Sequence, residues 1–106
     1  MRYAKRRDAN DGSIAEALAK AGFIVHDYAS ASLVPDRLVV KRLPDDTFWV
    51  CWVEIKTPKG KLRPAQEAFR VIFEGRGEFY VARDPEETVR ELTDRYVAAI
   101  SPESLR

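Results

Sequence analysis

Three consecutive residues in the middle of the chain have the types and spacing needed for metal-assisted chemistry. They are Glu54, Ile55 and Lys56, within the segment VEIKTPKGKLRPAQ at residues 53–66. Side chains alternate faces along a strand, so Glu54 and Lys56 point the same way and Ile55 points into the opposite layer. The carboxylate can bind a cation, and the ammonium group beside it can bind a negatively charged substrate. The alternative is an ordinary ion pair on a half-exposed strand, which contributes little.

A second carboxylate, Asp36, is predicted to lie opposite Glu54. Residues 37–42 and 48–56 are rich in β-branched and aromatic residues, and a proline–aspartate turn centred near Asp45 separates them. These signals predict an antiparallel hairpin. Asp36 lies nine residues before Asp45 and Glu54 nine residues after it, so the hairpin register pairs the two acids to within a residue or so.

Two converging carboxylates repel each other, and a divalent cation relieves that repulsion. Hard oxygen ligands such as those of Asp36 and Glu54 favour Mg²⁺ or Mn²⁺. The backbone carbonyl of Ile55 would add a third ligand, and Lys56 would hold a water or stabilise charge that grows on a phosphate. Metal, water and cation are the components needed to hydrolyse a phosphodiester.

The hydrophobic periodicity predicts an α/β fold in the order helix, three strands, helix, strand, helix. Strands are expected at residues 23–28, 37–42, 48–56 and 78–82. The last strand follows a helix, so a crossover would bring it into a mixed sheet with helices on it. The 106 residues suit one domain, 1–106, with a basic arm at 1–7 and a loose tail at 101–106.

The helices carry terminal signals and one apolar stripe. Ser13 and Glu16 fit a capping box, although a start near Asn10 is an open alternative. Pro64 suits the first position of the second helix, and Asp84 followed by proline is a strong start for the third. The buried stripe of the second helix is predicted to be Ala65, Ala68, Phe69, Ile72 and Phe73, with Gly75 or Gly77 as its end.

Composition indicates where the protein works. There is no long apolar run, so neither a transmembrane helix nor a secretory signal is predicted. The single cysteine, Cys51, cannot form an internal disulfide and is expected to be a small buried residue. We therefore expect a cytoplasmic protein.

Charge is balanced overall but unevenly distributed. The net charge of +1 excludes a uniformly basic nucleic-acid binder. Basic residues nevertheless cluster in two places, and the expected phosphate contacts are Arg6 and Arg7 in the arm and Lys59, Lys61 and Arg63 after the Glu54–Lys56 segment. Solvated surface charge is the alternative explanation for both clusters.

The ordered motifs resemble the PD-(D/E)xK nuclease signature. Pro35-Asp36 is followed eighteen positions later by Glu54-Ile55-Lys56, then by the KTPKG loop and Pro64-Ala65-Gln66. This set is similar to the VRR-NUC branch of that superfamily, particularly its small stand-alone phage and prophage proteins. The segment RRDAND ahead of the first helix is similar to the opening of those proteins, so the likeness covers residues 6 to about 82.

The resemblance implies a restriction-endonuclease-like core and Mg²⁺- or Mn²⁺-dependent DNA cleavage in a bacterial or phage-infected cell. Branched DNA, including flaps and four-way junctions, is the implied substrate, and a homodimer is the implied active form. By motif position, Asp36 and Glu54 would bind metal together with the carbonyl of Ile55. Lys56 would position water and phosphate, and Gln66 would point into the site.

Two departures from the family pattern keep a second function open. The family usually has a glutamate near the position of Ser13, so Glu16 or Asp11 would have to supply that acid. The glycine that usually precedes the PD element is replaced here by the segment Ser32-Leu33-Val34. These differences suit a DNA-binding module with a decayed nuclease site. A plain protein-interaction domain is a third possibility, but it leaves the convergence of Asp36 with Glu54 unexplained.

Overall fold

The computed structural model describes residues 9–28, 34–75 and 78–100, which form three helices and four strands in the predicted order. The elements are α1 (Asp11–Lys20), β1 (Ile24–Asp27), β2 (Arg37–Arg42), β3 (Phe48–Ile55), α2 (Pro64–Phe73), β4 (Phe79–Ala82) and α3 (Pro85–Ile100). The basic arm with Arg6 and Arg7, Ser32 and Leu33, Gly77 and the tail at 101–106 lie outside the described residues.

The four strands form one mixed sheet in the order β1-β2-β3-β4. The first three strands are antiparallel neighbours, whereas β4 is parallel to β3 because α2 carries the chain back across the sheet. The hairpin register pairs Arg37 with Val53 and Arg42 with Phe48. The predicted hairpin and crossover are therefore confirmed, and the register extends to place Asp36 opposite Glu54.

Strand alternation gives the sheet two unlike faces. One face packs against α1 and α3, and its core includes Ile14, Leu18, Val39, Trp49, Cys51, Val53, Ile55 and Leu92. The other face carries Val50, Trp52 and Glu54. Helix α2 covers this second face in part through Phe69, whose ring centroid lies 5.7 Å from that of Trp52.

Helix α1 begins at Asp11, so the earlier of the two predicted starts is correct. The capping box predicted for Ser13 and Glu16 is wrong. Ser13 lies inside the first turn, and its hydroxyl donates to the carbonyl of Asn10 over 3.0 Å instead of accepting from a free N–H.

Helix α3 begins as predicted. A carboxylate oxygen of Asp84 accepts a hydrogen bond of 2.8 Å from the backbone N–H of Glu87, and Pro85 occupies the first helical position. None of the described helices combines the length and apolar character needed to cross a membrane.

The buried stripe predicted for α2 is wrong. None of the residues of this helix is buried, and Ile72 is 61% exposed. Phe69 and Phe73 are half-buried and stack at 4.6 Å between ring centroids. Among the described rings of α2, Phe69 is the one that contacts rings of the sheet, those of Trp52 and Phe79. The helical spacing of the apolar residues therefore identifies an apolar face of α2, but the small sheet does not cover that face.

Candidate active site

Asp36 and Glu54 lie together at the open end of the β2–β3 hairpin. Both are buried, with 9% and 2% of their surface exposed. The N–H groups of Trp52 and Lys56 bond to carbonyls on the β4 side, so the N–H of Ile55 faces β2. There the carboxylate of Asp36 accepts it over 2.9 Å, in place of a main-chain acceptor. This hydrogen bond fixes Asp36 beside the Glu54–Lys56 segment.

Lys56 follows β3, and its backbone is held on both sides. Its N–H donates to the carbonyl of Ala82 over 2.9 Å. Its carbonyl accepts from the side-chain amide of Asn10 over 2.9 Å, and the same amide donates to the carbonyl of Arg83. Asn10 therefore joins the start of α1 to the ends of β3 and β4, and alternation keeps Lys56 on the face of Glu54.

Neither candidate for a third acid joins this pair. Asp11 is buried and binds Arg37 through two hydrogen bonds of 2.6 and 3.2 Å. Arg37 pairs with Val53 on the core face of the sheet, opposite the face of Glu54. Glu16 is exposed and contacts Lys20 at 3.3 Å. Within the described ranges, no group of three or more His, Cys, Asp or Glu side chains is placed to hold a metal ion.

A pair of carboxylates nevertheless suits a magnesium-type ion. Mg²⁺ is commonly bound by one or two carboxylates, and waters and substrate phosphates complete its coordination. Asp36 and Glu54 are two hard oxygen donors at one end of the sheet, and both are buried. The donor set therefore fits Mg²⁺ or Mn²⁺ shared with a phosphate, with the carbonyl of Ile55 as the backbone contribution.

The basic residues near the pair are not neutralised by the described part of the chain. Lys59, Lys61 and Arg63 are exposed. Ion pairs to described acids are formed elsewhere, by Lys20, Arg37, Arg42, Arg70 and Arg95, but not by Lys56, Lys59, Lys61, Arg63 or Arg83. The end of the sheet that carries Asp36 and Glu54 is thus followed in the chain by exposed cations that form no ion pair with acids of residues 9–28, 34–75 and 78–100.

Arg83 is a functional candidate that the sequence analysis missed. Its guanidinium donates to the carbonyls of Thr57 and Gly60 over 2.8 and 2.6 Å, at the start of the basic loop, residues 57–63, which carries Lys59, Lys61 and Arg63. One signal could have revealed it. The predicted crossover makes the fourth strand parallel to the third, so the residue after β4 must lie beside Lys56.

Gln66 is engaged at the start of α2. Its side-chain oxygen accepts a hydrogen bond of 2.8 Å from the backbone N–H of Arg63, which satisfies one of the free N–H groups there. Among the described residues, no hydrogen bond joins Gln66 to Asp36 or Glu54. The structure therefore places it on the border of the basic loop and gives it a capping role.

Comparison with known proteins does not add a family. No protein-family model, no curated protein and no solved structure matches this chain. A function for the chain therefore depends on the placement of Asp36, Glu54 and Lys56 and on the charges around them.

Proposed function

We propose that this protein is a metal-dependent DNA endonuclease, with a PD-(D/E)xK site on a restriction-endonuclease-like form of its α/β core. One observation carries the proposal. Continued one residue past Arg37 and Val53, the hairpin register makes Asp36 and Glu54 opposing positions, and both residues are buried. The hydrogen bond from Ile55 ties Asp36 to the segment that continues into Lys56. Residues that are eighteen positions apart in the chain thus lie close together, as the PD-(D/E)xK motif would require.

The residues supply what phosphodiester hydrolysis needs. Mg²⁺ or Mn²⁺ at Asp36, Glu54 and the Ile55 carbonyl would lower the pKa of a water and polarise a phosphate oxygen. Lys56 adds a positive charge on the same face, where it positions the phosphate and stabilises the charge that develops on it. Burial of the carboxylates strengthens these interactions because water screens them less.

DNA is the proposed substrate because the exposed cations beside the site lack acidic partners among the described residues. Lys59, Lys61 and Arg63 would contact phosphates on either side of the bond that is cut. Branched DNA, such as a flap or four-way junction, is the form implied by the VRR-NUC resemblance. The same resemblance supports a bacterial or phage-infected cell as the setting.

A homodimer is part of the proposal, since the cleavage of two strands at a junction needs two sites. An apolar row across the sheet supports it. Ile24 pairs with Val40 and Val40 with Val50, on the sheet face that carries Glu54, and Ile24 and Val50 are 52% and 41% exposed. Phe48 extends this row and is 54% exposed.

A non-catalytic DNA-binding module is the second candidate, favoured by a different observation. Asp11 is engaged with Arg37 and Glu16 with Lys20, so the described residues bring two acids to the site rather than three. A site with fewer carboxylates binds metal more weakly, while the basic loop would still bind DNA.

A cleavage assay distinguishes the candidates. Labelled duplex, flap and four-way-junction DNA are incubated with the protein in Mg²⁺ or Mn²⁺, beside Lys56→Ala, Glu54→Gln and the exposed control Lys20→Ala. We expect the wild type and the control to cleave and both site variants to lose activity by about 100-fold or more.

Each other outcome has a defined meaning. DNA binding without cleavage by the wild type in either metal supports the non-catalytic module. Cleavage that survives both site substitutions contradicts the assigned site. Absence of DNA binding contradicts both candidates and supports a protein-interaction domain.

A further inference from the structure

Arg83 makes an unusual set of contacts for an arginine beside a predicted anion site. A single guanidinium nitrogen, Nη1, lies 2.8 Å from the carbonyl oxygen of Thr57, 2.6 Å from that of Gly60 and 3.5 Å from that of Pro58. The turn itself is closed by a 3.0 Å hydrogen bond from the N–H of Gly60 to the carbonyl of Thr57. Arg83 therefore holds the turn from outside.

The backbone of Arg83 is fixed relative to Lys56. The amide of Asn10 donates to the carbonyls of both residues over 2.9 Å, and the carbonyl of Ala82 accepts from the N–H of Lys56. The side chain that holds the turn is thus rooted in the same backbone frame as Lys56.

The positive charges at this turn would be complemented by a bound anion. Arg83 contacts neutral carbonyls and has no acidic partner in the described ranges. The exposed Lys59 lies in the turn that Arg83 holds, and the exposed Lys61 directly follows it. A polyanion bound along these side chains would interact favourably with each of them.

We propose that Arg83 is a positioning residue that acts through the loop and does not itself bind DNA. It holds the Thr57–Gly60 turn so that Lys59 and Lys61 are directed at the phosphates beside the bond that Lys56 serves. This inference rests on the proposed function for its consequence on DNA, whereas its structural part can be tested separately.

The structural part is tested by hydrogen exchange at the Gly60 amide. Arg83→Met keeps the apolar stem and removes the donors, and Arg83→Lys keeps the charge without the guanidinium fork. The matched control is Arg90→Met, because Arg90 is exposed on α3 and has the same charge. We expect exchange to accelerate about tenfold or more in Arg83→Met, less in Arg83→Lys and not at all in the control. Unchanged exchange in Arg83→Met overturns the inference.

The functional part is tested by a cycle of DNA affinities measured without divalent metal. We expect Arg83→Met to weaken DNA binding about tenfold in the wild-type background, and Arg83→Lys to restore part of the loss. In the Lys59→Ala/Lys61→Ala background, the same Arg83→Met change should lower the DNA affinity by less than about twofold, because the effects of coupled residues are not additive. Equal losses in both backgrounds mean that Arg83 contacts DNA directly, which overturns the inference.

The two experiments separate the inference from the proposed function. If the wild-type protein does not bind DNA, the proposed function fails, and the exchange rate of Gly60 still decides whether Arg83 holds the turn. If DNA binds and is cleaved but the cycle is additive, the proposed function stands and the positioning role fails.

Discussion

The carboxylate of Asp36 accepts a hydrogen bond of 2.9 Å from the backbone N–H of Ile55. The donor lies between Glu54 and Lys56, so this bond connects Asp36 directly to the Glu54–Lys56 segment. It also satisfies a main-chain N–H where β2 supplies no main-chain acceptor. Asp36 therefore has a structural role that is separable from any role in chemistry.

Substitutions at Asp36 should separate these two roles. Asp36→Asn keeps an oxygen that accepts from Ile55 but removes the negative charge, so we expect stability close to wild type and loss of metal-dependent cleavage. Asp36→Ala leaves the buried N–H without its partner and should cost about 1–3 kcal/mol in the free energy of unfolding. Urea unfolding and the cleavage assay measure the two effects. Full activity in Asp36→Asn would exclude the carboxylate from the site.

The pair formed by Asp11 and Arg37 should stabilise the fold. Both side chains are largely buried, with 6% and 12% exposed, and their shortest contact is 2.6 Å. Asp11→Ala strands a buried guanidinium, and removal of one partner of a buried pair costs about 3–5 kcal/mol. Asp27 lies 3.9 Å from Arg37 and should keep the loss near the lower end of that range.

The control for this prediction is the exposed pair of Glu16 and Lys20. Glu16→Ala should change the free energy of unfolding by about 0.5 kcal/mol or less, since exposed ion pairs contribute little. The double variant Asp11→Ala/Arg37→Met should recover part of the loss, because the stranded charge is removed with its partner. Equal losses in Asp11→Ala and Glu16→Ala would contradict the structural role of the buried pair.

The features that the sequence predicted correctly depend on short-range signals. Alternation of side chains predicts the bounds of β2, and Pro85 predicts the start of α3. The turn between β2 and β3 sets the hairpin register. Each signal lies within the segment that it predicts. The convergence of Asp36 with Glu54 was predictable because a hairpin relates residues at equal distances from its turn.

The features that were missed depend on which elements meet in space. Helical spacing identified the apolar face of α2, but the small sheet leaves Ile72 exposed. Asp11 and Glu16 were equal candidates for a third acid until their partners, Arg37 and Lys20, were known. The contact of Arg83 with the Thr57–Gly60 turn joins residues more than twenty positions apart, so no pattern within a single segment predicts it.

DNA binding should depend strongly on salt through the basic loop. Each phosphate contact contributes about 0.9 to the slope of log affinity against log salt concentration. The triple variant Lys59→Ala/Lys61→Ala/Arg63→Ala should therefore lower the magnitude of that slope by about 2–3. The matched triple variant Lys20→Ala/Arg42→Ala/Arg90→Ala removes the same charge elsewhere and should leave most of the slope in place. Equal slopes for the two variants would show that the loop is not the binding surface.

Stability at alkaline pH should depend on Cys51. Burial raises the pKa of its thiol from 9.0 to about 12. Between these values the unfolded chain has released the proton that the folded protein keeps, so stability falls as pH rises, by about 1.4 kcal/mol per pH unit. Burial also raises the pKa of Tyr80 above 10.0, which acts in the same direction. Urea unfolding from pH 7 to pH 11 should show a shallower alkaline decline in Cys51→Val than in the wild type, with parallel curves below pH 9. Curves that stay parallel throughout would show that the thiol titrates equally in both states.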